Sequence, residues 1–184
     1  MKNRKLELRQ VKMEEKEILR NLLEKYDYEF SKYDQRDVNS LGLYGYEYLD
    51  HYWTEENRWA FFILVEGKLA GFVMINDYPD VISDTDYSMA EFFVMYKYRR
   101  GGVGRFAALE ALNRFRGKWQ VKRHPTNQDS VRFWNTIIDE YTKGNYELVE
   151  NHPEAEYDDG TLGDVFLFDN STQKIEPSTQ IFTK

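Results

Sequence analysis

The 184-residue chain has no cysteine, only three histidines, and no apolar run that approaches the roughly 18 residues of a membrane span. Without cysteine there is no disulfide framework, no zinc–thiolate site and no cysteine nucleophile. His51, His124 and His152 are scattered and lack metal-ligand spacing, so no metal is expected. The basic opening Met1-Lys2-Asn3-Arg4-Lys5 leads into polar–apolar alternation, which does not read as a signal peptide. A cytoplasmic protein without a membrane partner is therefore expected. Positive charge is also in deficit. A net charge of -7 repels phosphate backbones and argues against nucleic acid as a partner, while tolerating or attracting a cationic amine. There are no internal repeats and no low-complexity segments.

What is present suits one folded unit. At 41% hydrophobic, a chain of this length buries a sizeable core without a staple. The 14 Tyr and 12 Phe suit an aromatic-walled pocket as well as a core. Residues 1–170 read as a single domain and 171–184 as a polar tail.

Periodicity orders the elements. Alternation from Lys5 to Val11 predicts a strand, and Ile18, Leu19, Leu22, Leu23, Tyr26 and Phe30 put an apolar stripe on a helix over 13–30. Residues 33–58, crowded with tyrosines at 44, 46, 48 and 52, read as a loop and a short helix. Trp59–Val65 and Leu69–Ile75 flank Glu66-Gly67-Lys68 as a hairpin, and Ser88–Met95 is another strand. Val103–Phe115 is a helix and Trp119–Val121 a short strand. A second helix opens at Pro125 and Asn127 and closes at Gly144, a C-cap glycine. Tyr146–Val149 and Val165–Phe168 are two last strands. A hairpin-rich first half followed by βαβα suggests a mixed sheet in an α/β fold.

The chemistry concentrates at Arg99-Arg100-Gly101-Gly102-Val103-Gly104. A strand that runs into glycines and then a helix presents unpartnered amides and the positive end of a helix dipole to an anion. Arg99, Arg100 and Arg105 add guanidinium charge, although each is also an ordinary surface residue type. No Gly-Lys-Ser/Thr follows, so the loop is not a P-loop. Gly102-x-Gly104-x-x-Ala107 nominally matches a dinucleotide fingerprint, but Tyr96 to Arg100 intervenes after the strand, and Lys122-Arg123-His124 stands where an acid belongs. A plain tight turn is the bland alternative.

Read with its flanks, the loop resembles the Gln/Arg-x-x-Gly-x-Gly/Ala pyrophosphate loop of the GNAT superfamily of acyl-CoA N-acyltransferases. Glu91 to Tyr98 resembles that family's fourth strand and its bulged exit. Asn127-Gln128-Asp129-Ser130-Val131-Arg132-Phe133-Trp134 is similar to its Asn-x-x-Ala/Ser-x-x-Phe-Tyr helix start. The likeness is specific over 88–149 and topological before that. It implies an α/β GNAT fold: a mixed, mostly antiparallel central sheet flanked by helices and splayed at the fourth and fifth strands.

The resemblance further implies an acetyl-CoA-dependent N-acetyltransferase working by direct attack in a ternary complex. Acetyl-CoA would be the acyl donor, and the partner a small-molecule or peptide amine. The loop from Arg99 to Arg105, including Gly101, Gly102, Val103 and Gly104, would hold the pyrophosphate. Phe93, Val94 and Met95 would pair with the pantetheine arm, with the Val94 amide as oxyanion donor. Asn127, a good helix N-cap, would also touch that arm. Glu91 is the candidate general base, with Asp77 a rival. The family's acid is a tyrosine seven residues after the asparagine; here that position is Trp134, a wall of the tunnel and no acid. Tyr141 is then a candidate acid, or the thiolate leaves without one, or the chain is a non-catalytic acyl-CoA-binding module. A longer acyl donor is a third alternative. The acidic run from Glu154 to Asp159 reads as a solvated loop, and a homodimer is left open.

Overall fold

The computed structural model describes residues 4–81 and 84–173. Its centre is a seven-stranded sheet in the order β1-β2-β3-β4-β5-β7-β6. The strands are β1 (Leu6–Gln10), β2 (Arg58–Val65), β3 (Lys68–Asn76), β4 (Tyr87–Val94), β5 (Lys118–Arg123), β6 (Glu147–Val149) and β7 (Asp164–Asp169). All neighbours run antiparallel except β4 and β5, which are parallel. Among the described residues three α-helices cover it: α1 (Lys16–Asp34), α2 (Val103–Arg114) and α3 (Gln128–Thr142).

The unbroken apolar runs of β2 and β3 follow from burial on both faces. Phe61, Ile63 and Val65 join Val73 and Ile75 in the core shared with α2 and α3. Ala60, Phe62 and Leu64 join Phe72 and Met74 in a second core, with Leu19, Leu22 and Leu23 of α1. The segment before β2 is a loop and a 3-10 helix over Leu49–Trp53, moored to α1 where the Tyr44 and Gly45 amides donate to the Glu24 carboxylate at 2.9 Å each.

Several boundaries shift by a few residues from the sequence expectation, and the ends of α1, β5 and α3 show how. Helix α1 continues past Phe30 to Asp34 and stops at Gln35, a left-handed residue whose amide caps Ser31. Strand β5 extends to Arg123, whose guanidinium is bonded to Asp164, Val131 O and Asn135. At the end of α3 the first left-handed residue is Lys143 (φ 56°), with Gly144 (φ 79°) after it. The tail expected over 171–184 lies, from 174 onward, outside the described residues. Asn170 just before it is fully buried. It accepts from the Gly117 amide at 2.8 Å and donates to Leu112 O, Phe115 O and the Tyr141 hydroxyl.

The feature that positions a site is a parting of the sheet. Strands β4 and β5 pair only at Tyr87–Trp119 and Ser88–Gln120 and then diverge. On its other edge β4 stays on β3 as far as Val94, opposite Gly71. A Cβ on Gly71 would fall 1.9 Å from Phe93 O, so only glycine permits this approach. A bulge supplies the second adjustment: Met74 pairs with Glu91 but Ile75 with Met89, leaving Ala90 as an extra residue. Met89 then joins the α2/α3 core, while Ala90 and Phe93 pack with the α1 core. Gly71→Ala is expected to cost about 2 kcal/mol of stability by overpacking. Urea unfolding measures it, and an unchanged midpoint would contradict the close approach.

Candidate functional site

Beyond Val94 the chain makes a 3-10 turn at Tyr96–Tyr98 and reaches the N-terminus of α2 through two left-handed residues, Arg100 (φ 58°) and Gly102 (φ 78°). The first α2 amide to find its helical acceptor is Phe106, on Gly102 O at 2.9 Å. The amides of Val103, Gly104 and Arg105 precede it and lack an intrahelical acceptor. A Cβ at Gly104 would sit 3.2 Å from Phe133 and 3.7 Å from Val94, so its absence lets the end of α2 close on α3 and β4.

The arginines divide. Arg99 turns inward: Nη1 and Nη2 grip the Glu29 carboxylate at 2.7 Å each, Nε donates to Val94 O at 2.6 Å, and the guanidinium lies 4.2 Å over the Tyr96 ring. All its nitrogens are engaged in joining α1 to the end of β4, and these contacts raise its pKa against the effect of burial. Arg105 pairs with Glu140 at 3.0 Å, and Arg100 stands exposed. Arg4, absent from the sequence argument about this loop, brings its Nη1 within 3.6 Å of the Gly101 Cβ position.

The free edge of β4 has a defined polarity. The Met95 amide donates to Ala70 O on β3. Alternation along an antiparallel strand therefore points the Phe93 amide to β3 and turns those of Phe92 and Val94 toward the parting. That parting opens a cleft of about 1070 Å3 between β4, α1, the start of α2, and α3. Ten of the sequence-predicted residues line it: Glu91, Phe93, Val94, Arg99, Arg100, Gly102, Gly104, Arg105, Asn127 and Trp134. Met95, Gly101 and Val103 belong to the same stretch of chain but not to the cleft wall.

Tyr141 is not brought to the site. Its hydroxyl sits between Leu112 O at 3.2 Å, Asn113 Oδ1 at 3.3 Å and Asn170, among residues that do not line the cleft, and burial raises its pKa. Asp77 is exposed at the end of β3, where it accepts from Asn57. Asn127 caps α3: its Oδ1 accepts from the Ser130 amide at 3.2 Å and from the Tyr33 hydroxyl at 3.1 Å. Trp134 is buried, edge-on to Phe92 at 5.2 Å and Phe133 at 4.9 Å. Glu156, Tyr157 and Asp158, from the acidic run read as solvated, reach the cleft wall.

Glu91 faces Tyr26 and Tyr46. Burial pushes its carboxyl up to about 7, reinforced by the nearby charge of Asp27; hydrogen bonding to the two tyrosines offsets only part of this. Both phenols are themselves raised well above 10.0, mainly by burial and then by the charge of Glu91. Sequence reasoning missed the α1 contribution: Tyr26, Asp27, Phe30, Tyr33 and Asp34 all line the cleft. Their offsets of three, four and seven residues place them on one helical face. An apolar stripe with Tyr26 and Phe30 fits a core as well as a cavity, and Asp27 and Asp34 on the same face mark a polar cavity once their burial is known. Among the described residues no group of three or more His, Cys, Asp or Glu is placed to hold a metal ion, and no helix is long and apolar enough to cross a membrane.

Comparison with known proteins agrees with this geometry. An acetyltransferase from Thermus thermophilus superposes with a TM-score of 0.62 at 13% identity, over 92% of this chain and 99% of that one. A ribosomal alpha-N-protein acetyltransferase (RimL) in complex with coenzyme A gives 0.62 at 14% identity, over 91% and 96%. Spermidine N-acetyltransferase from Vibrio cholerae, in complex with CoA and spermine, gives 0.56 at 15%, over 90% and 96%. A search of curated proteins finds no match. The family model described as acetyltransferase (GNAT) family matches residues 17–137, well over half of the sequence, and the chain belongs to that family.

Proposed function

We propose that this chain transfers an acetyl group from acetyl-CoA to an amine by direct attack in a ternary complex. The observation that carries the reading is the continuity of one cleft, from the amides at the start of α2, along the free edge of β4, to Glu91. The residues fit the donor. A pyrophosphate finds the positive end of a helix and backbone made accessible by Gly102 and Gly104. An amide-bearing arm finds the outward groups of Phe92, and Asn127, whose Oδ1 is already used, has Nδ2 left to donate. Phe92, Phe133 and Trp134 form an apolar wall for its methylenes. Two of the structural relatives described above were solved with coenzyme A.

The residues divide the work as follows. The amine nitrogen attacks the thioester carbonyl, and the Val94 amide, fixed by β3 pairing, donates to the oxygen that gains charge. Glu91 takes the proton the amine must lose; a carboxylate with a pKa near 7 is a better-matched base than one at 4.5. Collapse breaks the C–S bond and yields amide and coenzyme thiolate. The indole N–H of Trp134 is far too weak an acid and Tyr141 lies elsewhere, so the thiolate, of ordinary pKa about 8.5, departs without a protein acid at those positions and is protonated from solvent. Trp134 also motivates the second reading, a module that binds acyl-CoA without turnover; release of free coenzyme separates the two.

Three outcomes are expected. Titration calorimetry should give saturable acetyl-CoA binding, weakened about 100-fold or more (~2.7 kcal/mol) in a folded Gly102→Glu, Gly104→Glu double variant. Equal affinity in that variant would remove the loop from the site. Glu91→Gln should lower kcat/KM by about 100-fold and abolish a rising limb near pH 7. The stability consequence has the opposite direction. The folded carboxyl binds its proton above the ordinary 4.5, so the native state holds more protons between 4.5 and about 7, and stability falls as pH rises through that window. Above about pH 8 the Gln variant should be the more stable protein, and a less stable one would deny that the carboxylate is buried at a cost.

A further inference from the structure

The end of the cleft beyond Glu91 carries charge that the acetyl-transfer chemistry does not use. Asp27 and Asp34, on one helical face of α1, are 2% and 6% exposed. They share a single cation: Arg36 places Nη2 2.7 Å from Asp27 Oδ1 and Nε 2.9 Å from Asp34 Oδ2. Asp27 Oδ2 is buried and has no hydrogen-bond partner. Glu91 adds a third carboxylate to the same wall. The other cations there are committed elsewhere: Arg123 to Asp164 at 3.2 Å, and Lys122 to Asp80 at 3.4 Å and over the Tyr157 ring at 4.2 Å. Three carboxylates thus face one guanidinium, in surroundings that push Asp27 up to about 6 through burial. An unpartnered, buried carboxylate oxygen on a cavity wall is costly unless a ligand completes it.

We propose that this end of the cleft docks a second positive charge on the acceptor, and that the substrate class is therefore a small diamine or polyamine; the proposal rests on the acetyl-transfer reading above. The reacting nitrogen must be neutral when it attacks, so it cannot also neutralise Asp27. A monoamine leaves Asp27 Oδ2 as it stands. A second ammonium satisfies that oxygen and balances the excess carboxylate. The rings of Tyr26, Phe30 and Tyr157, successive neighbours at 5.8 Å, line the same cavity and suit both a methylene spacer and a cation over a ring face.

The test compares matched acceptors, 1,4-diaminobutane and 1-aminobutane, by release of free coenzyme from acetyl-CoA, beside calorimetric acetyl-CoA binding. The wild type should favour the diamine by about tenfold or more in kcat/KM, chiefly through KM. Asp27→Asn should shrink that ratio at least about fivefold, and Asp27→Glu should restore most of it. Should Asp27→Asn lose acetyl-CoA binding through misfolding, Asp34→Asn replaces it; it frees Arg36 to neutralise Asp27 and must lower the ratio as well. Equal use of the two amines, a ratio unmoved by these variants, or binding of acetyl-CoA without turnover of the diamine would overturn the proposal. Absence of acetyl-CoA binding by folded wild type would instead overturn the function on which it rests.

Discussion

The cleft and the geometry around it depend on β4 leaving β5 after Ser88. A parallel strand pair normally continues until one strand ends, because each unpaired amide inside a fold costs roughly 1–3 kcal/mol. Here β4 gives up that edge for its last six residues while keeping β3 on the other. The backbone groups of Phe92 and the Val94 amide are left pointing into a cavity, where an extended amide-bearing ligand could restore the missing strand. The bulge at Ala90 is tied to the same event, since it brings Glu91 to the side where Tyr26 and Tyr46 wait.

Holding a half-paired strand in place needs other contacts, and the charged residues supply them. Arg99 joins Glu29 of α1 to Val94 O, so the last carbonyl of β4 is satisfied by a side chain. Gly71 lets β3 approach closely enough to carry the strand to its end. On the far side of the parting, β5 is held to β7 through six pairs, and buried Arg123 and Asp164 tie their ends to α3. Asn170 closes the far end of β7 onto α2 and β5, taking Tyr141 into that structural network. The two walls of the cleft are thus separately braced, and the gap between them is a fixed feature of the fold.

Much of this was legible in the sequence because it is local. The glycines at 102 and 104, the helix pattern after them and the Asn127 cap depend on neighbours within a few residues, and the structure has each of these features. The division among the arginines was not legible: Arg99 and Arg100 are adjacent and alike, and only the fold brings Glu29, seventy residues away, to one of them. Tyr141 failed as a cleft residue for the same reason, since its partners Leu112 and Asn170 come from distant elements. The polar face of α1 was hidden in a different way. Tyr26 and Phe30 satisfy a hydrophobic period whether they meet a core or a cavity, and Asp27 declares the difference only once its burial is seen.

The measurement that tests the account most directly is amide hydrogen exchange with and without acetyl-CoA. Donor bound along the parted edge should slow exchange at Phe92 and Val94 together with Val103, Gly104 and Arg105, while Phe93, already bonded to β3, should change little. Saturable binding that leaves Phe92 and Val94 unprotected would contradict it, because the parting of β4 from β5 would then have no part in holding the donor.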